Sequence, residues 1–173
     1  KNAWLEIYDK KVLYFPKFFH PDPTVKRQSG FLIPSFASSK SLGSYLNIPY
    51  YKVISGDKDL TFKPRLYFNN KILAQTEYRQ VGKDFTNDLD VGLLSDNGSN
   101  RTHFFSKTKK ELNLNLFEES DFSLDIQQVS NDSYLKSYKP SSPLINNDNI
   151  LTSSINFNGF NDDLSFNTEF TVY

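Results

Sequence analysis

The chain has 173 residues, no cysteine, and a formal net charge of zero from 20 basic and 20 acidic side chains. The balanced charge argues against a nucleic-acid-binding protein, and the missing cysteines exclude disulfides, thiolate catalysis and cysteine-based zinc sites from this segment. Aromatic residues make up 16% of a chain whose mean hydropathy is −0.54, and no apolar run is long enough for a transmembrane helix.

The first predicted elements are two aromatic and β-branched strands, near 3–8 and 11–19, joined by a turn at Asp9 and Lys10. Pro21 and Pro23 follow. Because two prolines in three residues cannot continue a central strand, we predict a domain junction near Pro23.

The junction divides the chain into three parts. These are residues 1–22, a linker at 23–29, and residues 30–173. The chain begins without an initiator methionine and ends within an alternating stretch, so we expect it to be a piece of a longer protein. No signal peptide is visible, as expected for a segment that starts internally.

The next two predicted strands, near 30–38 and 42–53, each contain a proline, Pro34 and Pro49. A proline has no N–H to give to the hydrogen-bond ladder, so it is confined to edge strands and bulges. We therefore predict that these neighbouring strands form an edge, a bulge or a seam that can open.

The rest of the chain alternates apolar and polar residues with a period of two, which predicts antiparallel strands with one apolar and one polar face. No stretch has helical periodicity. Counting from Gly30 gives about nine strands, near 30–38, 42–53, 58–68, 71–80, 85–94, 102–117, 121–129, 150–158 and 163–173. Abundant aromatic residues in such strands are typical of a barrel in lipid, although a soluble β-protein has a similar composition.

The predicted connections differ in length. Those after the second, fourth, sixth and eighth strands are compact, around Gly56, Gly82, Glu119 and Gly159, whereas 95–101 and 130–149 are longer. Short turns at one end and long loops at the other are typical of outer-membrane barrels. An odd number of strands leaves an unpaired edge, so the barrel needs further strands to close.

Residues that carry chemistry are sparse. His20 and His103 form neither a metal cluster nor a catalytic triad, and the carboxylate pairs Glu118-Glu119 and Asp162-Asp163 fall in predicted turns. We therefore predict structural roles for both histidines, no catalytic or metal-binding residue, no cofactor, and a protein that is not an enzyme.

Several motifs together are similar to one family, and they keep its order and spacing. They are Val12-Leu13-Tyr14-Phe15-Pro16, Pro21, Arg27-Gln28-Ser29-Gly30-Phe31-Leu32-Ile33-Pro34, Gly43, Ile48-Pro49-Tyr50-Tyr51, Asp59-Leu60-Thr61-Phe62-Lys63-Pro64, Glu77-Tyr78-Arg79 and Val129-Ser130-Asn131-Asp132-Ser133-Tyr134-Leu135. Over most of its length the chain resembles the outer-membrane lipopolysaccharide-assembly family, LptD or OstA. It departs from the family at 53–57, where an Ala-Pro-Asn stretch is frequent.

The resemblance implies a fold and a function. In that family a periplasmic β-jelly roll receives lipopolysaccharide from a periplasmic bridge protein of the LptA type. The jelly roll passes it to a large barrel whose first and last strands pair weakly and form a lateral gate. Residues 1–22 would be the last jelly-roll strands and 30–173 the first barrel strands. Pro34 and Pro49 match the gate prolines.

Further expectations follow from the same resemblance. Arg27, Ser29, Gly30 and Phe31 would form the junction between the two domains. The protein would lie in the outer membrane with a periplasmic N-terminal part. Its partners would be a plug lipoprotein of the LptE type and the barrel-assembly machinery.

The polar face of the early strands carries cations. Alternation places Lys63 and Arg65 on that face, and Arg79 lies next to Glu77 on the following strand. They are candidates for contacts with phosphates or acidic sugars of lipopolysaccharide. The alternative is that they are solvated lumen residues paired with counter-charges.

Two other classes of protein compete with the barrel. One is a soluble periplasmic β-sandwich or jelly roll that binds lipid or carbohydrate, with its apolar face inside and its charged face outside. Alternation alone does not distinguish inside from outside. The other is a small barrel enzyme acting on lipid A, which requires a nucleophile or a His–Asp constellation that the sequence does not offer.

Overall fold

The structure is a computed structural model that describes residues 3–7, 10–15, 27–39, 42–145, 147 and 149–173. Its first two strands, β1 (Ala3–Ile7) and β2 (Lys10–Phe15), pair as an antiparallel hairpin in a sheet of their own. This confirms the two predicted strands as far as Phe15. The predicted junction near Pro23 lies outside the described residues, and the division into domains stays a prediction.

A second sheet of eleven antiparallel strands contains most of the described chain. Its strands are β3 (Gly30–Phe31), β4 (Ser35–Ser39), β5 (Gly43–Asn47), β6 (Tyr50–Ser55), β7 (Lys58–Tyr67), β8 (Lys71–Val81), β9 (Phe85–Asp96), β10 (Ser99–Leu112), β11 (Glu119–Val129), β12 (Ser153–Phe160) and β13 (Ser165–Val172). From β7 to β13 each strand pairs with the next in sequence, and the sheet stays open. The predicted all-β, antiparallel fold with an open edge is confirmed.

The two proline-containing strands are each interrupted at the proline. The predicted strand 30–38 is β3 and β4, separated at 32–34, and the predicted strand 42–53 is β5 and β6, separated at 48–49. Counted as two interrupted strands and seven continuous ones, the sheet has the predicted nine. The interruption follows from chemistry, because a proline cannot donate to the ladder.

Two predicted connections are wrong. The segment 95–101 is not a loop: β9 and β10 are joined by the two-residue turn Asn97-Gly98, whose φ angles are 46° and 90°. Asn-Gly favours this tight turn because both residues tolerate positive φ. The sixth strand ends at Leu112 instead of 117, and Glu119 begins β11 instead of lying in the turn. Of the two longer connections predicted, only the one after β11 is found, whereas the connections after β6, β8 and β12 are compact as predicted.

That connection also contains a helix that periodicity does not predict. The helix α1 (Tyr134–Tyr138) has five residues, too few to show a helical repeat. We call the described residues between β11 and β12, which are 130–145, 147 and 149–152, the covering loop. No helix in the described part of the chain has the length and apolar character needed to cross a membrane.

The two faces of the eleven-stranded sheet have different surroundings. The covering loop packs on one face. The main core lies between the loop and that face, and it is formed by Tyr67, Leu73, Leu94, Phe105, Tyr134, Leu135, Tyr138 and Leu144. Polar residues are buried on the same face: Thr61, Gln75, Glu77, Asp90, His103 and Gln127. Large apolar side chains on the opposite face are exposed, from Phe62 at 39% to Phe68 at 70%. The covered face therefore buries polar and charged side chains together with the core, whereas the opposite face exposes large apolar ones.

Candidate functional site: proline seam, junction and covered polar face

The proline seam runs between the first two interrupted strands. Only two residue pairs join β3 to β6, Gly30 with Tyr51 and Phe31 with Tyr50. The next contact is one hydrogen bond, in which the Leu32 N–H donates to the Pro49 carbonyl at 2.8 Å. Because Pro49 has no N–H, the bond that would normally be returned to Leu32 is missing.

A third proline, which the sequence analysis did not assign to the seam, extends the weakness to the next strand. The Ile48 N–H donates to the carbonyl of Pro64 in β7 at 3.3 Å. The N–H and C=O of one residue point to the same side of an antiparallel strand. Residue 64 would therefore normally donate its N–H to the Ile48 carbonyl, and Pro64 has no N–H to donate. The ladder is thus incomplete on both sides of Pro49.

Next to the seam, β4 and β5 form a hairpin that is attached to β7 by a short ladder. Three residue pairs join β5 to β7: Tyr45 with Tyr67, Leu46 with Leu66 and Asn47 with Arg65. At the last of these pairs, Asn47 Oδ1 and Arg65 Nε are buried without a hydrogen-bond partner. Unpaired buried polar atoms cost free energy, so this attachment is weaker than its backbone ladder suggests.

The four residues predicted for the junction contact β6, the turn that follows it, or the start of β7. Arg27 Nη1 donates to Asp59 Oδ2 at 2.7 Å, and its Nη2 bonds the Gly56 carbonyl. Ser29 Oγ accepts the Val53 N–H at 2.8 Å. Gly30 is paired in the sheet, and the Phe31 ring packs edge-on against Tyr50, 5.1 Å between centroids.

Asp59 holds this arrangement together, although its place in a motif did not by itself indicate that role. Asp59 is 5% exposed and binds two arginines, Arg27 through Oδ2 and Arg79 through Oδ1, each at 2.7 Å. Asp59 and Arg79 are direct register partners on β7 and β8, and alternation alone could have suggested that pair. Arg27 is distant in sequence, and no local signal points to it.

We expect Asp59→Asn to loosen the junction. The asparagine cannot form two charge-assisted bonds, but both guanidinium groups are about half exposed, so the expected loss is only about 1 kcal/mol. Amide hydrogen exchange at Leu32, whose N–H donates to the Pro49 carbonyl, should become faster in the complete protein. Asp162→Asn, in the exposed turn after β12, is the control for the charge change. Unchanged exchange in Asp59→Asn would contradict the assigned role.

The three cations predicted on the polar face have different partners. Lys63 forms an ion pair with Glu77 and donates to the Ser141 carbonyl at 3.2 Å, and Arg79 is paired with Asp59. Arg65 binds the covering loop instead, since its Nη1 donates to the Tyr138 carbonyl at 2.7 Å. Among the described residues no carboxylate lies within ion-pair distance of Arg65. Two of the three candidates thus have the counter-charge that the alternative interpretation expects.

A buried polar network lies beneath the covering loop. His103 Nδ1 lies 2.9 Å from the Tyr134 hydroxyl, and His103 Nε2 lies 3.2 Å from Asp90 Oδ1. Gln75 donates from Nε2 to Asp90 Oδ2 at 2.8 Å and to the Ser141 carbonyl at 2.9 Å. Burial, and secondarily the charge of Asp90, raise the pKa of Tyr134, which keeps its hydroxyl protonated. The network fastens the loop to β8, β9 and β10.

Further contacts fasten the covering loop on both sides of this network. The Tyr138 hydroxyl donates to Asp96 Oδ2 at 2.9 Å, and the Lys71 ammonium lies 3.2 Å from the same oxygen. On β11, Gln127 Nε2 donates to the Leu144 carbonyl at 2.9 Å. With Arg65 on β7, the loop is bound to five consecutive strands.

Comparison with known proteins identifies the family. The family model described as LptD protein matches residues 1–172. The chain belongs to the LptD family.

Individual LptD relatives give the same result. The chain is similar to the LPS-assembly protein LptD of Pseudoalteromonas translucida (strain TAC 125), with 34% identity over 139 residues, 78% of this chain and 18% of the relative. For the LptD of Shewanella oneidensis the identity is 38% over 93 residues, 50% of this chain and 12% of the relative. For that of Pseudomonas aeruginosa (strain LESB58) it is 32% over 103 residues, covering 60% and 11%. The chain thus spans less than a fifth of these relatives.

Membership of the LptD family agrees with the resemblance that the motifs suggested. The motif residues Arg27 to Pro34 and Ile48 to Tyr51 lie on the two sides of the proline seam. Asp59 and Pro64, which were quoted only as part of a motif, have structural roles in this LptD-family chain. Asp59 binds the junction, and Pro64 leaves the ladder to β5 and β6 incomplete.

Proposed function

We propose that the complete protein assembles lipopolysaccharide at the outer membrane of a Gram-negative bacterium, and that this chain supplies part of its wall. In this proposal, residues 1–22 are the last strands of a periplasmic jelly roll. Residues 30–173 are the first strands of a transmembrane barrel. Family membership supports the proposal, because the relatives are LPS-assembly proteins. The role is transport and assembly, not catalysis.

The observation that carries the proposal is the inverted polarity of the eleven-stranded sheet. A soluble sandwich would bury the apolar face and expose the charged one. Here Phe62, Phe68, Leu93 and Phe104 point to the exposed face, whereas Glu77 is buried on the other. Apolar side chains in such numbers are unfavourable in water but suit the lipid-facing wall of a barrel. This arrangement favours the barrel over the soluble lipid- or carbohydrate-binding domain.

The proline seam suggests how the glycolipid leaves the barrel. Its sugars would travel along the polar face while its acyl chains pass into lipid beside an opened strand pair. Each missing ladder bond is worth about 0.5–1.5 kcal/mol, so Pro34 and Pro49 together would lower the cost of opening by roughly 1–3 kcal/mol. We propose that β3 and β4 form one side of a lateral gate whose other side is the closing strand of the complete barrel, and that their weak pairing across the proline seam lets them move away from that strand.

Replacing both gate prolines tests this mechanism. Pro34→Ala and Pro49→Ala introduce N–H donors, which should tighten the seam and impair export. The double variant should show less surface lipopolysaccharide and greater sensitivity to large antibiotics. Pro143→Ala, in the exposed part of the covering loop, is the matched control and should behave as the unaltered protein. Normal export in the double variant would refute the gate.

The partners belong to the same proposal. We propose that an LptA-type bridge protein delivers lipopolysaccharide to the jelly roll that includes β1 and β2, that an LptE-type lipoprotein plugs the barrel, and that the barrel-assembly machinery inserts it. Family membership supports these partners. Photo-crosslinking from positions on β1 tests the first of them, and an adduct with the bridge protein is the expected result.

A further inference from the structure

A cleft lies beside the proline seam, on the polar side of the sheet. It has a volume of about 380 Å³ and is enclosed by the β4–β5 hairpin, by Arg65 of β7 and by the end of α1. Tyr45 forms part of its wall on the hairpin side, and Lys136, Tyr138 and Lys139 form the loop side. Three different elements thus converge on one opening.

The charge of this cleft is unbalanced. Arg65, Lys136 and Lys139 line it, and no Asp or Glu is among its described lining residues. Elsewhere on the polar face Lys63 is paired with Glu77, and Lys71 with Asp96. The cleft therefore collects positive charge without the counter-charges that accompany other cations of this face, which favours an anionic ligand.

Arg65 has unused hydrogen-bonding capacity at the cleft. Its Nη1 is committed to the Tyr138 carbonyl at 2.7 Å, whereas Nη2 makes only a long 3.5 Å contact with the Lys139 carbonyl. Its Nε is buried without a partner. Nη2 is therefore the Arg65 donor that an oxygen of a phosphate or carboxylate in the cleft can accept from.

The orientation of this guanidinium is fixed before any ligand arrives. The Tyr45 ring lies over it, with the Arg65 Cζ 4.6 Å from the ring centroid, and the Tyr138 carbonyl holds the other side. Pre-organised donors lower the entropic cost of binding.

We propose that this cleft binds an anionic oxygen group of the transported glycolipid, through Arg65 from the sheet and Lys136 and Lys139 from the covering loop. The inference rests on the proposed function. Of the three cations predicted to contact lipopolysaccharide, Lys63, Arg65 and Arg79, it retains only Arg65. The same chemistry recognises a phosphate and the carboxylate of an acidic sugar. Because the cleft lies next to the β4–β5 hairpin, the bound anionic head group would lie beside the strands that open.

Binding of a soluble, deacylated lipopolysaccharide oligosaccharide to the complete protein in detergent tests the site. Lys136→Gln/Lys139→Gln changes only exposed side chains and should weaken binding roughly tenfold. Arg65→Gln should weaken it at least as much. Lys109→Gln/Lys110→Gln, exposed on β10 outside the cleft, is the matched control and should leave the affinity unchanged.

Two modified probes identify the group that is bound. If the ligand is a phosphate, phosphatase treatment of the oligosaccharide should remove the difference between Lys136→Gln/Lys139→Gln and the unaltered protein. If it is an acidic sugar, reduction of the carboxyl groups should remove it. Unchanged affinity of the lysine double variant for the untreated oligosaccharide would overturn the site and leave the proposed function intact. Normal surface lipopolysaccharide in cells depleted of the protein would refute the proposed function, whatever the cleft binds.

Discussion

Asp90→Ala is expected to release the covering loop from the sheet and to lower the free energy of unfolding by about 3 kcal/mol. Asp90 is fully buried and accepts from Gln75 while facing His103 Nε2. Its removal leaves both partners buried without their acceptor, and such groups cost more than the lost bonds themselves. Amide exchange in α1 of the complete protein, together with protease cleavage of the loop, measures the release.

Two variants control for this result. Asp90→Asn keeps an acceptor oxygen in the network and should fall between the alanine variant and the unaltered protein. Asp132→Asn removes an exposed carboxylate of the covering loop and should have no effect on exchange. If α1 kept its full protection in Asp90→Ala, the network would not be what holds the loop.

Much of the sheet could be predicted because the position of a strand depends on the local pattern of apolar and polar residues. Alternation with a period of two placed seven continuous strands, and the two prolines marked the interruptions. The error at 95–101 had a local cause as well: Asn97-Gly98 is a tight-turn signal that was interpreted as part of a longer loop. Strand ends depend on such single residues and are therefore less certain than strand positions.

The covered face could not be predicted, because it is formed by contacts between distant residues. Arg65 binds the carbonyl of Tyr138, 73 positions away, and His103 meets Tyr134 across 31. A loop rich in Asn, Ser and Pro has no periodicity that reveals which strands it will cover. Alternation likewise separates two faces without saying which is inside, and only the position of the loop decides that.

The site residues differ in the same way between local signals and long-range contacts. Pro34, Pro49, Arg27 and Ser29 belong to motifs that resemble the family, and the structure places them along the seam and at its junction end. Lys136 and Lys139 went unnoticed because a charge in a polar loop is normally solvated. Their role becomes apparent only in the folded chain, where the covering loop lies on the sheet and places them next to Arg65.

Gly92→Ala is expected to destabilise the sheet by about 2–4 kcal/mol, although alanine is normally favoured over glycine in a strand. Gly92 lies opposite His103 in the β9–β10 register, and a β-carbon at Gly92 would lie 2.1 Å from His103 Cε1. The ring cannot move aside, because it stacks on Phe105 at 4.8 Å between centroids and is held by Asp90 and Tyr134.

Unfolding of the complete protein in detergent measures this effect, and a double-mutant cycle tests its cause. Gly56→Ala is the matched control, since a β-carbon there meets no atom within 4 Å, and its stability should change by less than about 0.5 kcal/mol. His103→Ala alone should be destabilising, but in that background Gly92→Ala should add little, because the clashing ring is gone. Equal costs of Gly92→Ala in both backgrounds would show that the histidine ring does not occupy the space above Gly92, and the buried network would then need a different geometry.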